Sequence, residues 1–294
     1  MNRLTATVTE ADQGRKIQYF VRGNMGVSYR QFSALKTWNG LHVNGEIVHA
    51  NYLIRSGDFI EVFLEEAERE GAIPEDLPIN VVWEDNELFI IDKTAPLACQ
   101  ASSKHPTGTL ENRAAFRYRN VPNFVFRPLN RLDKGTSGLM AAAKYSHACQ
   151  RMQQQLHTDS FVREYLAVVE GTLEGEGTID LPIAKEADAT VRRIIDFENG
   201  KRAVTHYRAV SHSNGRTLVR LRLETGRTHQ IRVHLSHMGY PICGDFLYGM
   251  ELPELSQRFA LHSAYIRLLH PITGEIIECT SELPAELQKL LQSE

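Results

Sequence analysis

Apolar positions in the first quarter of the chain come in short bursts. They predict two short helices, around Lys16–Arg22 and Tyr29–Trp38, then strands at Leu41–Val43 and Asp58–Phe63. Asn44-Gly45 is a strong tight-turn signal after the first of these strands. From Glu65 to Pro78 the apolar period disappears, acids dominate, and Pro74 and Pro78 punctuate a linker. From Ile79 onward the pattern is mixed. INVVWEDNELFIIDK predicts two strands around an E-D-N-E turn, Ser146 is placed to cap a helix running to about Leu156, and FVREYLAVVEG predicts a strand. THYRAVSHSNGRTLVRLRLETG predicts a hairpin turned at Asn214-Gly215. In its second arm Val219, Leu221 and Leu223 alternate with Leu218, Arg220 and Arg222. Thr228 is placed to cap a further helix ending before Gly239 and Pro241. Ile231, Leu235 and Met238 lie on one face of that helix, and Arg232 and His229 on the other.

Strands and helices are thus interspersed without regular βαβ alternation, which favours an α+β fold over a doubly wound sheet. The division expected is a small domain with an N-terminal extension over residues 1–70, an acidic linker over 71–78 and a larger domain over 79–294.

Composition narrows the class. The chain has 294 residues, 42% hydrophobic and 23% charged, ordinary values for a globular protein. No run approaches the ~18 apolar residues of a membrane span, and the N-terminus lacks the apolar core of a signal peptide. Cys99, Cys149, Cys243 and Cys279 are scattered, with no C-x-x-C, which predicts reduced thiols in a cytoplasmic protein and no zinc site. A net charge of −3 argues in sum against nucleic-acid binding. Its distribution reverses the picture. Between Gly14 and Gly45 stand Arg15, Lys16, Arg22, Arg30 and Lys36 with no acid, and the acids concentrate between Glu65 and Glu87.

Two segments are candidates for chemistry. In RPLNRLDKGTSGLMAAAK, Arg131-Leu132-Asp133 precedes the small-residue turn Gly135-Thr136-Ser137-Gly138. If this stretch is extended, Arg131 and Asp133 share one side, and the glycines let a substrate approach the carboxylate closely. From spacing alone, an Asp capping a turn or pairing with a surface Arg stays open. GRTHQIRVHLSHMGYPICGDFLYG carries Arg227 and Arg232 and ends in the loop Gly244–Gly249, where Asp245 and Tyr248 are equally readable as turn residues. His229, His234 and His237 lack metal spacing, since His229 and His234 would lie about 140° apart on a helix.

These residues carry two resemblances. VSYRQFSALKTWNGLHVNGEIVHANYLIRSGDFIEVFL resembles the α-L RNA-binding domain of the ribosomal-protein-S-four type, which implies that Arg15, Lys16, Arg22, Arg30 and Lys36 grip structured RNA. R-L-D-x-x-T-S-G-L, then G-R-T-H-Q-I-R-V-H, then G-D-x-x-Y-G resembles the RluA-type pseudouridine synthases over roughly Leu77 to the C-terminus.

That second resemblance implies RNA as partner, no cofactor and no metal. It identifies Asp133 with the catalytic aspartate and Arg131 with the arginine that fills the place of the displaced base. Tyr165 matches the tyrosine packing on the flipped uracil, and Arg227 the arginine paired with the aspartate. Ile242 and Leu247 sit where apolar residues line the pocket. Two departures, Asn130 for a frequent His and Lys93-Thr94-Ala95-Pro96 for a frequent K-P-A-G, bear on the shape of the cleft rim.

The function expected is isomerisation of uridine to pseudouridine in structured RNA, with large-subunit rRNA ahead of tRNA and no obligate protein partner. The rival readings are an N-glycosylase or glycosidase, which would ordinarily want two carboxylates and a water, and a non-catalytic RNA-binding or ribosome assembly factor.

Overall fold

The computed structural model of the chain describes residues 2–35, 39–64, 71–103, 105–156, 158–187 and 191–292. In the first region, helices Ile17–Gly23 and Tyr29–Leu35 share a core with a four-stranded antiparallel sheet. Its strand order is Asn2–Thr7, Phe59–Leu64, Leu41–Val43, Glu46–Ile47. That core is drawn entirely from residues between Leu4 and Leu64. Asn44 and Gly45 both take positive φ, 51° and 85°, as a two-residue hairpin turn requires. Asp58 clamps the turn to the last strand: its carboxylate accepts from the Asn44 side chain (3.0 Å) and the Arg55 N–H (2.8 Å). The edge strand Asn2–Thr7 was not expected, because NRLTAT offers only Leu4 as a buried apolar position.

Of the acidic linker, residues 65–70 lie outside the described residues, as does Lys36. Residues 71–78 form no helix or strand, but they are strapped to the start of helix Leu110–Arg117. Asn112 donates to the Ile73 carbonyl (2.9 Å) and accepts through its own carbonyl from the Glu75 N–H (3.1 Å). Arg113 donates to the Pro78 carbonyl (2.8 Å).

The rest of the chain builds a 10-stranded mixed sheet. Its main path runs Glu176–Asp180, Val204–Ser213, Arg216–Leu223, Phe161–Glu170, Leu261–Leu269, Ser137–Ala143, Leu88–Lys93, Val81–Glu84. The fold is α+β. Both predicted hairpins form, with Asn214 and Gly215 in left-handed conformation at the second turn. One contact in this sheet is parallel, His262 and Ser263 alongside Ser137 and Gly138. At this seam a Cβ on Gly138 would stand 2.3 Å from the Ser263 carbonyl oxygen, and Gly138 holds φ +101°, so only glycine fits. Strand Ser137–Ala143 is buried throughout: Met140 and Ala142 enter one apolar cluster, and Leu139, Ala141 and Ala143 the other.

Two helix starts differ from the sequence expectation. Tyr145, not Ser146, is the N-cap of helix Ser146–Gln155, and the Ser146 hydroxyl instead accepts from Gln31 (3.2 Å) of the first region. Helix Gln230–His237 is capped by His229 rather than Thr228. Among the described residues no helix is long and apolar enough to cross a membrane.

Candidate active site

The turn that leads into the parallel seam carries Asp133. Leu132 points into the core, while exposed Arg131 and half-buried Asp133 face a cleft of about 780 Å³. The alternation predicted for an extended Arg-Leu-Asp is therefore realised, although no strand partner pairs with it. The turn closes through the Thr136 N–H to the Asp133 carbonyl (3.1 Å). Gly135 lies so close to Phe259 that a Cβ would meet its ring at 2.8 Å.

The arginine at the carboxylate is Arg232. Its Nη1 donates to Asp133 Oδ2 at 3.0 Å, while Nε and Nη2 grip both oxygens of Asp245 at 2.7 and 2.8 Å. The guanidinium stacks over the rings of Phe259 (4.1 Å) and Tyr248 (5.0 Å). Burial works against its charge, but hydrogen bonds and attraction from Asp245 and Asp133 outweigh that and hold it above its ordinary range. This corrects the expectation for Arg227. Arg227 precedes the helix, is exposed, and donates through Nε to the Arg202 carbonyl (3.0 Å). The first helical turn carries Arg232, not Arg227, to the carboxylate.

Asp245, left open as a turn residue, is both turn and anchor. It is fully buried, and its Oδ1 also accepts from the Leu247 and Tyr248 N–H groups at 3.1 and 3.2 Å. A bidentate Arg–carboxylate pair fixes orientation as well as charge, so Arg232 reaches Asp133 already aimed. The sequence pattern puts Arg232 on the polar face of its helix. The fold buries that face too.

Tyr165 lines the cleft from strand Phe161–Glu170, in register with Ser263 of the seam. Burial raises its hydroxyl above the ordinary range, so it stays protonated. Ile242 does not line the cleft. It bridges Val169 and lies in the core. Leu247 also stands apart from the lining, half-buried in the Asp245 turn. The apolar positions that do line the cleft include Leu223, Ile231 and Leu261.

The loop at Lys93-Thr94-Ala95-Pro96, expected to bear on the shape of the cleft rim, also braces the turn that carries Asp133. Lys93 is buried, and its ammonium donates to the carbonyls of Leu97 (2.9 Å), Thr94 (3.1 Å) and Lys134 (3.4 Å). Burial pulls it down to about 8, against the attraction of Cys99 and Asp133. Asn130 is also internal, its Oδ1 accepting from the Ala141 N–H (2.9 Å).

Arg131, Arg163, Arg193, Arg227 and Arg232 all line the cleft, and among the described lining residues Asp133 is the one acid. The site is therefore a single carboxylate in a cationic trough. In the first region Lys16, Arg22 and Arg30 are exposed, whereas Arg15 is ion-paired to Asp12, which lies just outside the acid-free stretch. Among the described residues no group of His, Cys, Asp and Glu is arranged to hold a metal ion.

Residues 87–237 match the family model described as RNA pseudouridylate synthase. A Bacillus subtilis (strain 168) protein, "Uncharacterized RNA pseudouridine synthase YjbO", is 36% identical over 276 residues, spanning 92% of this chain and 97% of the relative. "Ribosomal large subunit pseudouridine synthase D" of Xanthomonas campestris pv. campestris is 37% identical over 268 residues, spanning 85% of this chain and 80% of the relative. The structure of "Human RNA Pseudouridylate Synthase Domain Containing 1" aligns with a TM-score of 0.57 at 24% identity, over 70% of this chain and 83% of that one, a likeness of fold.

Proposed function

Because the chain belongs to the RNA pseudouridine synthase family and is an isomerase acting on RNA, we propose that Asp133 is its catalytic carboxylate and that its substrate is a uridine in large-subunit rRNA. The observation that carries the reading is the Asp133–Arg232–Asp245 array at the floor of an arginine-lined cleft. The reaction breaks the bond from the ribose anomeric carbon to uracil N1 and makes one from that carbon to C5. C5 gives up a hydrogen and N1 gains one, so atoms balance without any co-reactant. One ionised carboxylate, whether it attacks sugar or base or takes a ribose proton, is the group the step needs, and a guanidinium alongside favours that charged form.

The target base has to leave its stack to reach the floor, at a cost of about a few kcal/mol that is smallest in loops. Arg131 on the rim is placed to fill the gap, and Tyr165 offers a flat face to the detached uracil as it turns. Half-buried Arg193 and exposed Arg227 are placed to meet the phosphates. Lys16, Arg22 and Arg30, with Arg15 and Lys36, extend that grip to RNA outside the cleft, and the relatives named for the large ribosomal subunit support rRNA as the target. Such a reaction belongs in the cytoplasm, with the ribosome.

The test is to incubate the purified protein with large-subunit rRNA and, separately, with tRNA, folded beforehand and then held in excess EDTA, and to map pseudouridine in each. Pseudouridine at a defined rRNA position is expected. Modification confined to tRNA would overturn the rRNA assignment, and release of free uracil would overturn isomerisation.

A further inference from the structure

His229 occupies a conformation that an L-residue adopts at a cost. It sits at φ 58°, ψ 18°, in the left-handed region, where a side chain with a Cβ crowds the following carbonyl. It is the N-cap of helix Gln230–His237, yet its side chain makes no capping bond. Such strain persists only where the surroundings over-determine it. The surroundings here aim the imidazole.

Nδ1 lies 2.8 Å from the Tyr248 hydroxyl, and that hydroxyl accepts the backbone N–H of Arg193 at 2.8 Å. Donating its own proton to Nδ1 is the arrangement that employs both capacities of the hydroxyl, and it leaves the ring proton on Nε2. Nε2 faces Asp133 Oδ1 at 4.0 Å, too far for a direct hydrogen bond. Both residues line the cleft. The ring is also kept neutral. Burial depresses its pKa, with Arg232 and Arg193 in support and Asp133 and Asp245 opposing. A neutral ring offers a donor beside Asp133 without tying up the carboxylate as an ion pair would.

We propose that His229 is a further residue of this active site, a neutral donor oriented by Tyr248, whose Nε2–H binds an oxygen of the flipped nucleotide beside Asp133. The proposal rests on the isomerase reading of the same cleft. The acceptor is a uracil carbonyl or the ribose 2′-oxygen.

The two ring nitrogens allow a clean test, because Gln carries an amide near the position of Nε2 and Asn near that of Nδ1. Asn and Gly also accept positive φ, so His229→Asn and His229→Gly relieve strain while withdrawing the donor. On a short RNA spanning the uridine that the wild-type protein modifies, both should fold normally and bind RNA within about twofold of wild type. Both should lose about 100-fold in single-turnover rate, the scale of one oriented donor. His229→Gln should recover most of that rate. Tyr248→Phe should give an intermediate loss, since the tautomer is no longer fixed. With 2′-deoxyuridine at the target, a His229→Asn deficit that vanishes assigns the acceptor to the ribose, and one that persists assigns it to uracil. Wild-type rates in His229→Asn or His229→Gly, or a His229→Gln variant as slow as His229→Gly, would overturn the proposal. An inactive wild-type protein would instead overturn the isomerase reading.

Discussion

Arg232 and Arg227 come from one short segment and line the same cleft, yet the fold treats them oppositely. Arg232 is buried, committed to two carboxylates and stacked on two rings. Arg227 stands exposed, tied through its Nε to the Arg202 carbonyl. The same contrast runs through the whole cleft. Asp133 and Arg232 on the floor, with buried Asp245 and Lys93 behind them, are fixed by internal partners before substrate arrives, while rim arginines such as Arg131 keep their charge facing solvent. A reacting group held in place needs no reorganisation during the reaction. A phosphate-binding group gains by staying adaptable, since its contribution is counterion release rather than geometry.

Apart from the aspartate itself, the largest effect should come from Arg232. Arg232→Met strands Asp245 as a buried charge, which costs about 3–5 kcal/mol, and it removes the partner of Asp133. Denaturation should show that loss of stability, and turnover at a temperature where the variant stays folded should fall by about 100-fold or more. Adding Asp245→Asn should return much of the stability without returning turnover. If activity returns with stability, Arg232 is a structural residue and the contrast with Arg227 collapses.

Lys93 comes next and carries a pH signature. Its folded pKa of about 8 lies below the ordinary 10.5, so the folded state holds this proton less tightly than the unfolded chain. The resulting penalty is fully present below pH 8 and is relieved as pH rises towards 10.5. Relative to Lys93→Met, the wild-type protein should therefore gain stability between pH 7.5 and 9.5, by roughly 1–3 kcal/mol. A stability difference that is flat or shrinks across that interval would contradict a buried Lys93 ammonium behind the Asp133 turn. At pH 7 the variant should still be the less stable of the two, because three carbonyls lose their donor.

Rim substitutions should be milder and different in kind. Arg131→Ala and Arg227→Ala should each weaken RNA binding and lower the slope of log affinity against log salt by about one. If Arg131 fills the vacated stack, Arg131→Ala should additionally slow the step at saturating RNA. An Arg227→Ala variant with unchanged salt dependence would show that this side chain does not meet phosphate. The smallest effect is expected for Tyr165→Phe, within a few-fold of wild type if the ring acts as a platform. A Phe variant as slow as Tyr165→Ala would give the hydroxyl a chemical role.

Much of this was legible in the sequence because it is local. The Asn44-Gly45 and Asn214-Gly215 turns, the alternation along Arg216–Leu223 and the inward Leu132 between outward Arg131 and Asp133 each follow from a few neighbouring residues. What was misread depends on register across distant segments. Which of two arginines in GRTHQIR meets Asp133 is decided by where the helix starts, and the left-handed His229 start has no ordinary cap signature. Asp245 carries no visible sign that it will be buried against Arg232. Ile242 looked like a lining residue by motif position, but its bridge to Val169 turns it into the core. The strand at Asn2–Thr7 and the strapping of residues 73–78 by Asn112 and Arg113 likewise rest on partners far along the chain.

The central claim is that this cleft does its chemistry with the Asp133 carboxylate and binds RNA by other means. Asp133→Asn keeps size and polarity and removes only the charge. Single-turnover assays with enzyme in excess over the mapped RNA should show no pseudouridine from this variant, while its RNA affinity stays within about threefold of wild type. Pseudouridine at wild-type rates from Asp133→Asn would contradict the account.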